Sequence, residues 1–358
     1  MSDKYFMDSH KLHWHLDRVV QWSADRRIVP IYVEIGLVGY CNNHCVFCGV
    51  DFDMEKGRLM PAEVICDRLR EMGELGVRSV LFSGEGEPTL HPELARIVAT
   101  ARGAGLDVAM STNGNVGDAA LWSVLLPHLT WIRFSVDAGT PETYAAVHRI
   151  PAPTFAKVTQ NVRLALETKR RLGLATTIGA QFVLLEENVG DLESFLRIFT
   201  ELGVDYVTIK PFSHHPKMLS DKDVDYQHPL LGRVGELVAR FQGVNGTHVN
   251  FRRAAAEVYS RREVGCEHCY SLPFWGHINS KGRFHSCGVF LSDPRFDCGD
   301  VLKSSMQEIL FGARRRESIR FGEEELSLRD ECRINCRMAR INEYLAVMVN
   351  PPPHVNFI

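Results

Sequence analysis

Apolar, β-branched runs recur at residues 31–35, 78–83, 106–111, 131–136, 176–184 and 204–210, and the stretches between them space their apolar residues three and four apart. The short runs predict strands and the longer period predicts helices. Leu192, Phe195, Leu196, Phe199 and Leu202 fall on one helix face, as do Ile65, Leu69 and Met72, and again Val158, Val162 and Leu166. Six strand–helix units in succession predict an α/β fold, a parallel sheet with helices outside it. An open doubly wound sheet and a partial barrel both satisfy the pattern, and both put chemistry at the C-terminal ends of the strands. After Gly243 the alternation stops. Residues 275–279 and 283–287 flank Ser280-Lys281-Gly282 and predict a hairpin, with Gly282 supplying the positive φ of the turn. The expected divisions are a helical cap over 1–30, the strand–helix repeat over 31–245, a small cysteine-rich α+β domain over 246–345, and a tail over 346–358 whose Pro351-Pro352-Pro353 is extended.

Composition changes this picture little. With 358 residues, 45% hydrophobic and 24% charged, the chain has room for one large domain and a smaller one. A net charge of −3 gives no basic footprint for nucleic acid. The clusters Lys169-Arg170-Arg171 and Arg314-Arg315-Arg316 lie in helical patterns and read as solvated faces. No apolar run is long enough to span a bilayer, and the charged first thirty residues hold no signal-peptide core. Ten cysteines without a secretion signal point to a reducing cytoplasm and to metal ligation over disulfides.

Three of those cysteines follow the first strand in C-x3-C-x2-C spacing: Cys41, Cys45 and Cys48. Thiolates suit iron–sulfur clusters and zinc, and three in one loop can each hold one iron of a cubane and leave the fourth iron open. A zinc knuckle or packed core cysteines are the alternatives. Zinc requires a fourth Cys or His at finger spacing, and His44 is wedged inside the loop. The spacing resembles the signature of the radical S-adenosylmethionine (SAM) superfamily. That resemblance implies a partial (β/α)6 TIM-like barrel with a [4Fe–4S] cluster on Cys41, Cys45 and Cys48. The open iron would chelate SAM, and an electron from a partner such as flavodoxin or ferredoxin would cleave it to a 5′-deoxyadenosyl radical that takes hydrogen from substrate.

The strand ends extend the resemblance over about residues 30–210. After the second strand, Gly84-Glu85-Gly86-Glu87-Pro88 resembles the superfamily's GGEP element, which receives the SAM amino group; Glu85 stands where a glycine is usual. The third strand ends in Ser111 and Asn113 and the fourth in Ser135 and Asp137, polar groups suited to a ribose or carboxylate. By the same resemblance Gln181 and Val183 lie where adenine rests, Phe47 packs on that ring, and Arg149 pairs with the SAM carboxylate; a surface ion pair is the other reading of Arg149.

A second set, Cys269, Cys287 and the pair Cys332-x3-Cys336, resembles the twitch or shortened SPASM domain and implies a second, auxiliary [4Fe–4S] cluster on these four thiols. Four thiols at this spacing also suit zinc. Cys266 is an alternative to Cys269, Cys298 is a spare, and Cys66 reads as a packed core residue.

With an auxiliary cluster as electron acceptor, an alcohol carbon of a small polar substrate is expected to be oxidised to a carbonyl, provided that a base removes the hydroxyl proton. Glu34, Lys210 and His214, with His215 beside it, are the base candidates at the strand ends. The resemblance points to sugars, aminocyclitols or nucleosides. Hydrogen return from a thiol would give epimerisation instead, and loss of a neighbouring group would give dehydration or decarboxylation. The GTP cyclases of the superfamily are discounted because neither their arginine-rich features nor a terminal Gly-Gly is evident. Peptide maturases are disfavoured because only about forty residues precede Cys41. A plain iron–sulfur electron-transfer module is the non-enzyme alternative.

Overall fold

Each of the six apolar runs forms a strand: β1 (Tyr32–Ile35), β2 (Ser79–Phe82), β3 (Asp107–Thr112), β4 (Trp131–Ser135), β5 (Thr177–Leu184) and β6 (Tyr206–Pro211). They pair side by side in chain order, all parallel. The computed structural model describes residues 4–357 except 6, 8, 221, 223, 225–231, 262–264 and 335. Strands buried on both faces have no polar side, which is why β5 is buried from Ile178 to Leu184 and reads as one apolar run.

The helix between β5 and β6, Leu192–Leu202, buries Leu192, Phe195, Leu196 and Phe199 and stops at Gly203, whose φ is +77°. Phe195 sits between Phe182 of β5 and Phe199, with ring centroids 4.9 and 4.6 Å away. Close-packed aromatics leave a cavity when truncated, so Phe195→Ala is expected to cost about 3–5 kcal/mol in a denaturant melt.

The sheet runs further than the sequence pattern shows. A seventh parallel strand, β7 (His248–Phe251), lies beside β6, and helix Arg253–Arg261 follows it. The alternation therefore does not stop at Gly243. With four residues, two of them the polar His248 and Asn250, β7 carries no apolar signature. At the other end β8 (Trp275–Ile278) pairs in parallel with β1, placing His277 opposite Glu34. It turns through the predicted hairpin into β9 (Arg283–His285), and β10 (Asp297–Asp300) closes the edge, both antiparallel. The cysteine-rich region thus joins the sheet beside the strand that leads into the Cys41 loop.

The amino-terminal helix Leu16–Ala24 packs Val19 and Trp22 against Phe274 and Leu345. Arg315 corrects the reading of its cluster as a solvated face. Its guanidinium is fully buried and donates to the carbonyls of Ile28 (3.0 Å), Leu310 (2.9 Å) and Pro273 (2.9 Å). A buried cation needs such partners, and here they join the entry segment to the cysteine-rich region. Arg314 and Arg316 are exposed, as expected of that helix. No helix among the described residues is long and apolar enough to cross a membrane.

Candidate active site

The Cys41–Cys48 loop lies over the ends of β1–β3, fastened by polar contacts that the strand ends supply. Gly86 is a glycine because the loop backbone crosses it: a Cβ there would lie 2.2 Å from the Tyr40 carbonyl and 2.4 Å from that of Val38. Glu87 is buried and accepts from Thr89 N (3.0 Å), Thr89 Oγ1 (2.6 Å), Thr112 Oγ1 (2.6 Å) and Asn113 N (2.7 Å). Burial raises its pKa against the pull of those four bonds. Its role in this geometry is to lock the end of β2 to the end of β3. Glu87→Ala would leave those donors without their acceptor and is expected to cost about 1–3 kcal/mol of stability in a chemical melt.

Asn113 donates to Asn42 Oδ1 (2.6 Å) and towards Cys41 Sγ (3.6 Å), and Asn43 N donates to the same sulfur at 3.4 Å. His148 Nε2 donates to the Val136 carbonyl (2.7 Å), which leaves Nδ1 as an acceptor, 3.4 Å from Asn43 Nδ2 and 3.0 Å from Cys45 Sγ. Burial pushes this imidazole down to about 4, so it is neutral. Burial also pushes the Cys41 and Cys48 thiols up to about 11, so a thiolate at this loop would need a bound metal to hold it. Three thiols carried by one loop, with N–H donors on one sulfur, suit an iron–sulfur cluster.

Beside the loop opens a cavity of about 360 Å³. Cys45, Phe47, Cys48, Gly84, Ser111, Ser135, Gln181 and Val183 line it, as do the base candidates Glu34 and Lys210. Gln181 Nε2 donates to Ser135 Oγ at 3.4 Å, while its Oε1 has no partner. Asn113, Glu85, Gly86, Glu87, Asp137 and Arg149 do not line the cavity. Asp137, at φ +57°, is fully buried and accepts from Val183 N (2.7 Å), so it ties β4 to β5. Glu85 is turned under the sheet towards His277, 3.5 Å away. Arg149 ends helix Pro141–His148 at φ +53° and is exposed.

The base candidates separate clearly. His214 is exposed and outside the lining. His215 is a packed residue: Nε2 donates to the Val289 carbonyl (2.8 Å), Nδ1 accepts from Lys217 N (3.0 Å), and burial pushes it down to about 4. Burial opposes ionisation of Glu34, but Arg337, His277 and Arg133 together outweigh it and favour the carboxylate. Lys210 is half-buried in the cavity wall. Burial and the guanidiniums of Arg133 and Arg252 push its pKa down towards neutrality, with Asp137 pulling the other way. Its amine is thereby shifted towards the neutral, basic form, and it faces the cavity.

A second, more apolar pocket holds Cys269, Cys287, Cys332 and Cys336 together, with Cys266 on the same wall among Leu272, Trp275 and Met338. Asn342 Nδ2 donates to Cys269 Sγ and Met338 N to Cys336 Sγ, each at 3.5 Å. Soft sulfurs with amide donors in an apolar box fit an iron–sulfur cluster. Among the described residues no three Cys, His, Asp or Glu side chains close on a single small ion. Cys298 is buried elsewhere, 3.5 Å from the Phe296 carbonyl, and Cys66 is a core residue as expected. Cys336 and Arg333 line both pockets, so one wall separates the thiol-lined space from the large cavity.

A profile of the Radical SAM superfamily matches residues 35–199. The chain carries a radical SAM domain. A [4Fe–4S] cluster and SAM are the cofactors of such domains. Among curated relatives, a probable GTP 3′,8-cyclase of Sulfurisphaera tokodaii is 25% identical over 280 residues, 76% of this chain and 85% of the relative. Another from Methanosarcina mazei is 31% identical over 165 residues, 44% of this chain and 46% of the relative. Of solved structures, Streptococcus suis SuiB bound to SAM superposes with a TM-score of 0.66 at 15% identity, over 86% of this chain and 72% of that one. The enzyme anSMEcpe with bound SAM does so at 0.61 and 16%, over 88% of each. These neighbours share the fold, including a cysteine-rich carboxy-terminal region of the twitch/SPASM kind.

The cyclases discounted in the sequence analysis are thus the names that recur among the relatives, and the cavity is lined by arginines that the sequence pattern did not bring together. Arg133, Arg252, Arg333 and Arg337 line the cavity from four separate places in the chain. Three of them carry a local signal: Arg133 is a charge inside an apolar strand, and Arg333 and Arg337 directly follow Cys332 and Cys336. His277, on the cavity wall with Glu85 behind it, was visible only through the pairing of β8 with β1.

Proposed function

We propose that this protein is a radical SAM oxidoreductase acting on a small polar molecule in the large cavity, with Cys41, Cys45 and Cys48 holding the SAM cluster and Cys269, Cys287, Cys332 and Cys336 an auxiliary one. The observation that carries the reading is that thiols of both sets line one cavity, Cys45 and Cys48 of the first loop and Cys336 of the second pocket. Bound there, the cluster and SAM supply a 5′-deoxyadenosyl radical. The chain's own residues do the rest. Ser111, Ser135 and Gln181 offer hydroxyl and amide groups to the SAM ribose and carboxylate, and Phe47 offers a ring face to the adenine. Lys210 takes the hydroxyl proton of a substrate that has lost a hydrogen atom, and the remaining electron leaves across the Cys336 wall. Loss of one hydrogen atom, one proton and one electron turns an alcohol into a carbonyl.

The names of the curated relatives favour a second reading, a redox-neutral cyclisation of a nucleotide. Deuterated sugars, nucleosides and nucleotides offered to the anaerobic, dithionite-reduced enzyme separate the two. Oxidation predicts label in 5′-deoxyadenosine and a product two hydrogens lighter. A labelled 5′-deoxyadenosine with a product isomeric to its substrate would replace oxidation by cyclisation or epimerisation.

A further inference from the structure

We propose that His277 and Glu85 act as a dyad on the cavity wall: Glu85 fixes the imidazole from beneath the sheet, and Nδ1–H of His277 donates to an oxygen of the substrate. This deepens the preceding reading and rests on it for the identity of the cavity and its occupant.

The geometry starts at Glu85, the residue that stands where a glycine is usual in the motif after β2. It is not part of the cavity lining, and its side chain is fully buried. Gly36 makes room for it, since a Cβ there would lie 2.1 Å from Glu85 Oε2. That oxygen accepts from Ser280 N of the hairpin turn at 3.4 Å. The other, Oε1, faces His277 Nε2 at 3.5 Å, and no hydrogen bond ties up either atom. His277 is in the lining, with 4% of its side chain exposed. Its Nδ1 lies on the side of Gly288, where a Cβ would stand 3.4 Å away, and Gly288 lines the cavity too. One ring nitrogen is thus turned to a buried carboxylate and the other to the edge of the cavity.

A buried carboxylate is costly unless a cation meets it, and among the described residues His277 is the cation paired with Glu85. Glu34 stands opposite His277 in the register of β1 and β8 and adds a second negative charge. Burial opposes protonation of the ring, but Glu85 and Glu34 outweigh it, with Arg337 pulling against them, and the pKa is raised above the ordinary histidine value. His285, the partner of His277 on β9, is kept neutral by burial and by the charge on His277. A doubly protonated imidazole can only donate. What it meets in the cavity is therefore an acceptor oxygen of a hydroxyl, carbonyl or acid group. Glu85, out of reach of the cavity, is a positioning residue.

The test uses the full chain, anaerobically reconstituted and loaded with SAM, with iron content showing that each variant is folded. Deuterium exchange at C2–H of each histidine, read by mass spectrometry across pH, gives the midpoint of His277 without any substrate. It should lie above the ordinary value of about 6.5 and fall by about one pH unit or more in the isosteric Glu85→Gln. A wild-type midpoint at or below the ordinary value, or one unchanged in Glu85→Gln, overturns the dyad. The same samples are then given deuterated sugars, nucleosides and nucleotides. For a compound whose label reaches 5′-deoxyadenosine, KM should rise about tenfold or more in His277→Phe and less in His277→Gln, which keeps a donor. Wild-type KM should also climb as pH rises through the His277 midpoint, and in Glu85→Gln that climb should come at lower pH. A KM unchanged in His277→Phe overturns donation to the substrate. If no 5′-deoxyadenosine forms, or no compound delivers its label, the preceding reading fails and the exchange midpoints alone decide the dyad. Labelled 5′-deoxyadenosine with an unshifted midpoint leaves that reading standing and overturns this one.

Discussion

Replacing Cys41, Cys45 and Cys48 together with Ala is expected to abolish 5′-deoxyadenosine formation from SAM under dithionite, a loss of at least about 10³-fold, because SAM cleavage draws its electron from that site alone. The loop should survive the change. It is fastened by contacts that do not use the thiols, among them the bond from Glu87 N to the Tyr40 carbonyl (3.1 Å) and the one from Met60 N to the Leu37 carbonyl (2.9 Å). The variant should therefore fold, and the assay is chromatographic quantification of the nucleoside product. Continued formation at the wild-type rate would remove the octet from the chemistry.

The second large effect is expected at Lys210. A base contributes about 10²–10⁴ to rate, so Lys210→Met should lower turnover of any compound that delivers its deuterium to 5′-deoxyadenosine by that factor. The pH dependence has a definite sign. Burial, together with Arg133 and Arg252, lowers the pKa of Lys210, and the neutral amine is the base. Wild-type turnover should climb as pH rises through neutrality and then level. In Lys210→Met that limb should vanish, and an identical pH profile in the two proteins would show that another group accepts the proton.

What could be read from the chain alone was local. Strands β1–β6 announce themselves by runs of apolar residues, and the octet by spacing within eight positions. Both signals lie within one turn or one strand. The cavity's charge was not legible in that way, because Arg133, Arg252, Arg333 and Arg337 meet only once β7 and β8 have joined the two ends of the barrel sheet. His277 reaches Glu85 and faces Glu34 for the same reason, through a strand register between residues far apart in sequence. Short polar strands such as β7 owe their conformation to the neighbour they pair with, so their own residues give little sign of it. Glu87 and Asp137 show the converse. Residues placed at the cofactor by motif turn out to be saturated by, or tied to, the backbone that shapes the rim.

The claim at the centre of this account is that one cavity lies between two iron–sulfur sites. Iron and sulfide counts on the anaerobically reconstituted protein, repeated on the Cys41→Ala/Cys45→Ala/Cys48→Ala variant, test it most directly. About eight irons falling to about four is the predicted result, one cubane at each site. About four irons falling to none, with zinc retained at the carboxy-terminal thiols, would contradict it and leave the substrate electron with no acceptor beside Cys336.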